Sequence, residues 1–270
     1  MKKEREAALL GAAEEVALEA ARRAGGLLRE GFGETHRFRL KTSRVDLVTE
    51  YDRRAEELII STIRENFPEH EVLAEESSGS FRRTGSEYRW LIDPLDGTTN
   101  YAHGYPLFAV SIALLQGEEP LLGVVYSPIL DELFLAVRRR GATLNGRPIH
   151  VSEIADLSRA LLSTGFPYDL ERIGLNLRLF EQFVHRAQAV RRDGSASLDL
   201  CYLACGRFDG FWEMDLKPWD IAAGVVIVRE SGGKVSDFSG GELDLYGGEI
   251  LASNGRLHER MLAVIKEERG

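Results

Sequence analysis

Residues 90–100 read WLIDPLDGTTN, an apolar strand that runs out into two aspartates, a glycine and two threonines. Tyr88, Trp90, Leu91 and Ile92 suit a buried strand, whereas Pro94 cannot donate to a ladder and forbids continuation through the middle of a sheet. Asp93 and Asp96 are therefore expected on a turn at the strand's carboxyl end. Gly97 permits a backbone conformation closed to other residues, and Thr98 and Thr99 can open a short helix whose free N–H groups face an anion. Paired carboxylates beside such a turn make a hard-cation site next to a phosphate cradle. Asp-Pro and Asp-Gly are also ordinary turn material, but the whole string, joined to a second acidic cluster, favours phosphate chemistry.

That second cluster lies in FWEMDLKPWDIAAGVVIVRESGG, residues 211–233. Pro218 fits the first turn of a helix, and Ile221 to Val228 are apolar enough to be buried, with Gly232 and Gly233 ending the helix. Asp220 then falls in the first turn. An acid there is stabilising without any metal, so Asp220 taken alone reads as a cap.

Three further pieces complete a pattern: KTSRVDLVTEYD at 41–52, LAEES at 73–77 and RDGSAS at 192–197. In order and spacing these segments, with WLIDPLDGTTN and WEMDLKPWD, resemble the inositol monophosphatase family of lithium-sensitive, magnesium-dependent sugar phosphatases, over nearly the whole chain. LKPWD, with no Cys before the Trp, resembles the bacterial branch. The resemblance implies that Glu75, Asp93 and the Leu95 carbonyl hold one magnesium, and that Asp93, Asp96 and Asp220 hold a second. Glu75 would reach a third, weaker ion through water. Asp52 and Thr98 match the pair that orients and activates the attacking water. Gly97, Thr98 and Thr99 match the phosphate-binding turn, and Asp96, Gly194, Ser195, Ala196 and Glu213 match positions touching the alcohol part of the substrate. Lys41 falls in the mobile segment that the family folds over its site. Thr99-Asn100 resembles the inositol and fructose-bisphosphate branches more than those of nucleotide or histidinol phosphates. The implied activity is hydrolysis of inositol 1-phosphate, with fructose 1,6-bisphosphate as the alternative, by a homodimer.

Electrostatics independently explain why such a site needs metal. Carboxylates of Asp52, Glu75, Asp93, Asp96 and Asp220 would converge where a phosphate dianion must bind, and like charges ~4 Å apart repel by about 4 kcal/mol per pair at an effective dielectric near 20. Divalent cations offset that repulsion, engage the phosphate oxygens, acidify an attacking water and stabilise the leaving alkoxide. Oxygen ligands without clustered His or Cys favour magnesium or manganese over zinc.

At 270 residues and 44% hydrophobic, the chain can bury a substantial core. It reads as a single unit over 1–270, with approximate halves 1–154, carrying the metal and phosphate motifs, and 155–270, carrying the substrate motifs. No apolar run approaches the length of a membrane span, and charges interrupt MKKEREAALLGAAEEVALEA, so a cytoplasmic location is expected. A net charge of −9 argues against general nucleic-acid or anionic-membrane binding. Cys201 and Cys205, four apart on one helix face, read as buried, reduced thiols without a catalytic role. Arg138 to Arg140 read as a solvated strand end and hairpin, while Arg191 and Arg192 could meet a second subunit or an anionic substrate. His103 reads as structural.

The element order is α+β. Helices are expected at 3–30 and 51–66, then strands at 71–74, 88–93, 107–115, 121–127 and 132–137, most of them in an antiparallel meander. The second half starts with a strand at 161–164 and continues with helix 172–187, strand 189–193, helix 196–205, strand 208–214, helix 219–231 and helix 256–268. This order implies a mostly antiparallel sheet followed by a mixed one, with helices between and outside them. The resemblance implies the same layered α-β-α-β-α sandwich, the sugar phosphatase fold, with the active site between the halves. Two rivals remain. A haloacid-dehalogenase-type phosphatase carries DxDGT, but here two residues separate the aspartates, so they cannot share a strand face without a turn. The other is a non-catalytic role, in which the protein binds a partner such as the transcription machinery.

Overall fold

The computed structural model describes residues 2–33, 39–40, 47–81, 83–167 and 173–269. Helix α1 (Lys2–Gly31) precedes a short pair, β1 (Arg39–Leu40) and β2 (Leu47–Val48), and then α2 (Glu50–Asn66). Next come β3 (Glu71–Ala74), β4 (Tyr88–Asp96), the one-turn helix α3 (Thr98–Ala102), β5 (Ala109–Gln116), β6 (Glu119–Ser127), β7 (Glu132–Val137), β8 (Ala142–Leu144) and β9 (Arg147–Pro148). The remainder runs β10 (Leu161–Thr164), α4 (Ile173–Arg186), β11 (Ala189–Arg191), α5 (Ala196–Ala204), β12 (Gly210–Met214), α6 (Pro218–Glu230), β13 (Lys234–Ser236), β14 (Glu249–Ser253) and α7 (His258–Arg269).

Strands β3 to β9 form a seven-stranded sheet in sequence order, antiparallel except for the parallel pair β3–β4. The second sheet has the order β11-β10-β12-β14-β13, with β10 parallel to both neighbours and β14 antiparallel to both of its own. Three apolar clusters bind these layers. One joins α1 and α2 to the outer face of the large sheet through Ala13, Ala17, Ala20, Ile59, Trp90 and Ile112. The alanines recur at helical spacing on α1, and their small side chains let the helix lie close to the sheet. A second fills the middle with α5 and α6 between the sheets, joining Leu91, Val125 and Phe134 to Leu200, Val225, Phe211 and Ile250. The third packs α4 and α7 on the far face of the small sheet around Leu162, Phe183, Trp212, Leu251 and Met261. The result is an α-β-α-β-α sandwich. Helices α5 and α6 lie covered on both sides, which is why the sequences SLDLCYLA and IAAGVVIV carry almost no polar face.

Three details depart from the sequence reading. Pro94 does not end its strand: β4 runs to Asp96 with a register shift between Asp93, opposite Ser111, and Asp96, opposite Ala109. Past Ile92 the β3 side of β4 is free of ladder partners, since β3 ends at Ala74 and Glu75 N closes on Ile92 O at 3.1 Å, so the missing proline N–H costs no bond. The extra residue in the bulge reverses the side-chain alternation and brings Asp93 and Asp96 to one face. The sequence reading also lacked β13 and β14, which close the small sheet. Cys205 is half-buried rather than buried, and both thiols are free.

Candidate active site

Every described acid of the candidate cluster lies at an element end. Asp93 and Asp96 flank the bulge of β4, Glu75 follows β3, Asp52 lies in the first turn of α2 and Asp220 in the first turn of α6. Ser111, directly opposite Asp93, donates its hydroxyl to Trp219 O at 3.3 Å, tying the start of α6 to the level of Asp93. Asp220 accepts Lys217 N at 2.8 Å, so it caps α6 as its position suggested. It is also part of the acid cluster.

Burial first, then the charges of Glu75, Asp96 and Asp220, hold the Asp93 carboxyl well above its ordinary range. Asp220 is pushed well above its ordinary range by burial and Glu75, against the Lys217 N–H, with Asp96 and Glu213 adding to the rise. For Asp96 burial outweighs its hydrogen bonds, and its value also rises. All three hydrogen bonds fall on one oxygen: Asp96 Oδ2 accepts Ser195 Oγ at 2.7 Å, Ser197 N at 2.8 Å and the Ser197 hydroxyl. These donors leave Oδ1 out of the set, and the charge of Glu75 reaches the same carboxyl.

Such a set fits a hard divalent cation by its chemistry: carboxylate oxygens in each other's field, with the Leu95 carbonyl beside them. Among the described residues, no three His, Cys, Asp or Glu side chains are already gathered to hold an ion by themselves. The donor chemistry still suits magnesium, which keeps several waters and completes its shell with phosphate oxygens beside carboxylates.

The phosphate-side turn is compact. Gly97 has φ +95°, and a side-chain carbon there would lie 3.0 Å from Leu107 O and 3.3 Å from Gly194 O, which places the turn against the second half of the chain. Thr98 and Thr99 open α3. Thr98 Oγ1 lies 3.0 Å from both Asp52 Oδ1 and Leu95 O, so one hydroxyl proton has two acceptors. Asp52 is itself fixed, accepting Thr49 N at 2.8 Å and the Thr49 hydroxyl through Oδ2.

On the alcohol side, Gly194 leads to Ser195, and Ala196 starts α5. The Ser195 hydroxyl is committed to Asp96 rather than open. Glu213, on β12, is pushed up to about 8 by burial, with Arg192 pulling it down and Asp96 pushing it up. At neutral pH it is largely a neutral acid here. A side-chain carbon on Gly165 would lie 1.9 Å from Glu213 Oε1, so the glycine is what leaves room for this carboxyl.

Several residues here escaped the sequence reading. Asn100 donates to Leu107 O at 2.6 Å and to Asp193 O at 2.8 Å, joining the two halves. Asn100 and Ser197 each close a quoted motif, which was a signal; Ser111 and Asp199 carried none. Asp199 on α5 is buried with no hydrogen-bond partner for Oδ1, and burial, then Asp193, Glu213 and Asp96, push it well above the ordinary range. Lys41 lies outside the described residues. His103 is exposed at the end of α3, and Arg138 and Arg140 pair with Glu6 and Glu14 of α1.

The family profile described as "Inositol monophosphatase family" matches residues 12–269. The chain is 48% identical, over 92% of its length and 86% of the other's, to the inositol-1-monophosphatase of Synechocystis sp. (strain ATCC 27184 / PCC 6803 / Kazusa). It is 42% identical to the Nus factor SuhB of Escherichia coli (strain K12), over 94% of this chain and 95% of that one. The solved inositol monophosphatase of Anabaena (Nostoc) sp. PCC 7120 superposes with a TM-score of 0.86 at 44% identity, over 96% of each chain.

Proposed function

The chain belongs to the inositol monophosphatase family of metal-dependent phosphoric monoester hydrolases, and on that premise we propose that it hydrolyses inositol 1-phosphate to inositol and phosphate with magnesium. The observation that carries this reading is the shared field of Glu75, Asp93, Asp96 and Asp220 beside a turn whose Thr98 hydroxyl lies on Asp52.

In this reading Glu75, Asp93 and the Leu95 carbonyl hold one magnesium and Asp93, Asp96 and Asp220 a second, with manganese as a substitute and Glu75 near a third. When bound, the cations bring positive charge to the phosphoryl oxygens and the leaving alkoxide and lower the pKa of water. The protein's own groups do the rest. N–H groups at the start of α3 lack intrahelical acceptors and face the phosphate. With Leu95 O engaged elsewhere, Thr98 gives its proton to Asp52 Oδ1 while its oxygen takes the proton of the attacking water. Oxygen–phosphorus bond formation is then matched by departure of the alcohol oxygen, which takes its proton from solvent. Glu213, Asp96 and the Gly194–Ala196 backbone face the alcohol, where a neutral acid both donates to and accepts from hydroxyls.

The test is a panel of inositol 1-phosphate, fructose 1,6-bisphosphate, histidinol phosphate and adenosine 3′,5′-bisphosphate, with magnesium and after chelation. Inositol 1-phosphate should lead, and chelation should stop all turnover. A lead for fructose 1,6-bisphosphate would move the chain to the alternative activity. A homodimer, checked by light scattering, accompanies the proposal. The name Nus factor SuhB among the relatives favours a second reading, a partner-binding role beside catalysis, which capture of transcription proteins by a turnover-dead variant would support. No helix among the described residues is long and apolar enough to cross a membrane.

A further inference from the structure

Helix α2 offers the site two acids one turn apart on one face, Asp52 and Glu56. Asp52 engages Thr49 and Thr98. Glu56, buried at 5% exposure, faces the segment that follows β3: its Oε2 accepts Glu76 N at 2.7 Å, and it takes further hydrogen bonds from the Ser77 hydroxyl and backbone. The N–H of Glu76 belongs to the peptide whose carbonyl is that of Glu75. That carbonyl accepts Ser78 Oγ at 2.8 Å and Ser78 N at 3.3 Å, while Glu75 N donates to Ile92 O at 3.1 Å. Glu75 is thus held in front by β4, one residue before Asp93, and behind by Glu56.

A buried acid placed within reach of another acid is a poor choice for stability alone, since burial and the charge of Glu75 both raise its pKa. Its place here is accounted for by what it grips. We infer that Glu56 is a positioning residue: it locks the Glu75–Ser77 backbone so that the Glu75 carboxylate stays beside Asp93 and Asp220, and α2 thereby sets the water-activating pair and the first metal ligand in one register. This inference rests on the reading of Glu75 as a metal ligand.

Binding of manganese alone to metal-stripped full-length protein, counted as free ion by electron paramagnetic resonance, tests it without turnover. Glu56→Leu keeps volume and burial but loses the acceptor, and should weaken manganese binding on the order of 10-fold, the lower end for groups that orient metal ligands. Glu56→Gln retains an acceptor for Glu76 N and should bind within about 2-fold of the parent. In turnover, Glu56→Leu should need more magnesium for half-maximal rate but reach a near-normal kcat at saturation. A folded Glu56→Leu variant with parental affinity would overturn the inference, as would equal losses in the Leu and Gln variants, which would indicate charge rather than placement. If Glu56→Leu does not fold, Ser77→Ala decides: it removes one donor from the same grip, and unchanged manganese affinity counts against the inference. Glu75→Gln serves as the control. Unchanged affinity there would remove the ligand reading itself, whereas a loss there with none at Glu56 would remove only the positioning role.

Discussion

At the end of β4, Asp93 is pushed upward by burial and then by the charges of three other acids, against a single backbone donor, Leu95 N, at 3.0 Å from its Oδ1. Across the site on β12 and α5, Glu213 and Asp199 are raised chiefly by burial, and there Arg192 pulls both the other way. The first arrangement is a like-charge cluster that only added positive charge relieves. The second is a pair of acids raised chiefly by burial in a low dielectric, with a cation pulling against the rise. Buried acid is therefore handled in two ways, and in the proposed reading each belongs to a different end of a phosphate monoester and should answer to a different perturbation.

The largest effect should come at the cluster. Asp93→Asn removes charge from both proposed metal positions while keeping volume, and should lower turnover by at least roughly 10²–10³, the scale of losing a placed electrostatic group. The fold should survive, because the change also removes a like charge from a buried cluster. Near-normal rates at saturating magnesium would break the contrast between the two sides.

Thr98→Ala and Asp52→Asn should each lower kcat by roughly 10²–10⁴, as expected for lost general-base help. Acting as one relay, the double variant should be little slower than either single one. Asp52→Asn should also lose stability of about 1 kcal/mol, because the same carboxylate caps α2 through Thr49. Thr98→Ala should not, so thermal melts of the two variants separate catalysis from capping.

The alcohol side should respond to pH. The folded chain holds the Glu213 proton up to about 8, well above the ordinary value of 4.5 that the unfolded chain approaches. Its contribution to stability is therefore complete below the unfolded value and lost as pH rises through 8. Metal-free parent protein should lose stability between pH 5 and pH 9 relative to Glu213→Gln, by at most roughly 5 kcal/mol at 1.36 kcal/mol per pKa unit. Parallel denaturation profiles would place an ionised Glu213 in the fold and remove the contrast. The smallest effect is on selectivity. Loss of a hydrogen bond from a neutral acid costs about 0.5–1.5 kcal/mol, so Glu213→Gln should flatten the ranking of alcohols by less than about tenfold. Magnesium affinity should stay unchanged, and a fall would assign Glu213 to the metal side.

The two sides also differed in how legible they were. WLIDPLDGTTN carries strand, carboxylates and turn in one contiguous string, so Asp93, Asp96, Gly97 and Thr98 could be read together. Yet the bulge at Pro94 depends on β3 ending at Ala74, a fact of pairing rather than of local sequence. The rest of the site is assembled from distant segments: Ser197 on Asp96, Asn100 on Asp193, Ser111 on Trp219. Single serines and asparagines have no periodicity that announces such partners. Long helices were read to within a residue or two, because α1 and α2 each bury a regular stripe. Strand β14 escaped because EILAS is short and draws its order from pairing with β12 and β13. Neutral Glu213 was illegible too, since burial sets it.

In the proposed mechanism water displaces the alcohol directly at phosphorus, with the proton passing through Thr98 toward Asp52 and no covalent enzyme intermediate. Hydrolysis of an isotopically chiral phosphate monoester in ¹⁸O-water, run to a single turnover, tests it most directly. Inversion at phosphorus is expected, with the solvent label only in inorganic phosphate. Net retention, or label in a carboxylate of the protein, would contradict it and indicate attack by an aspartate.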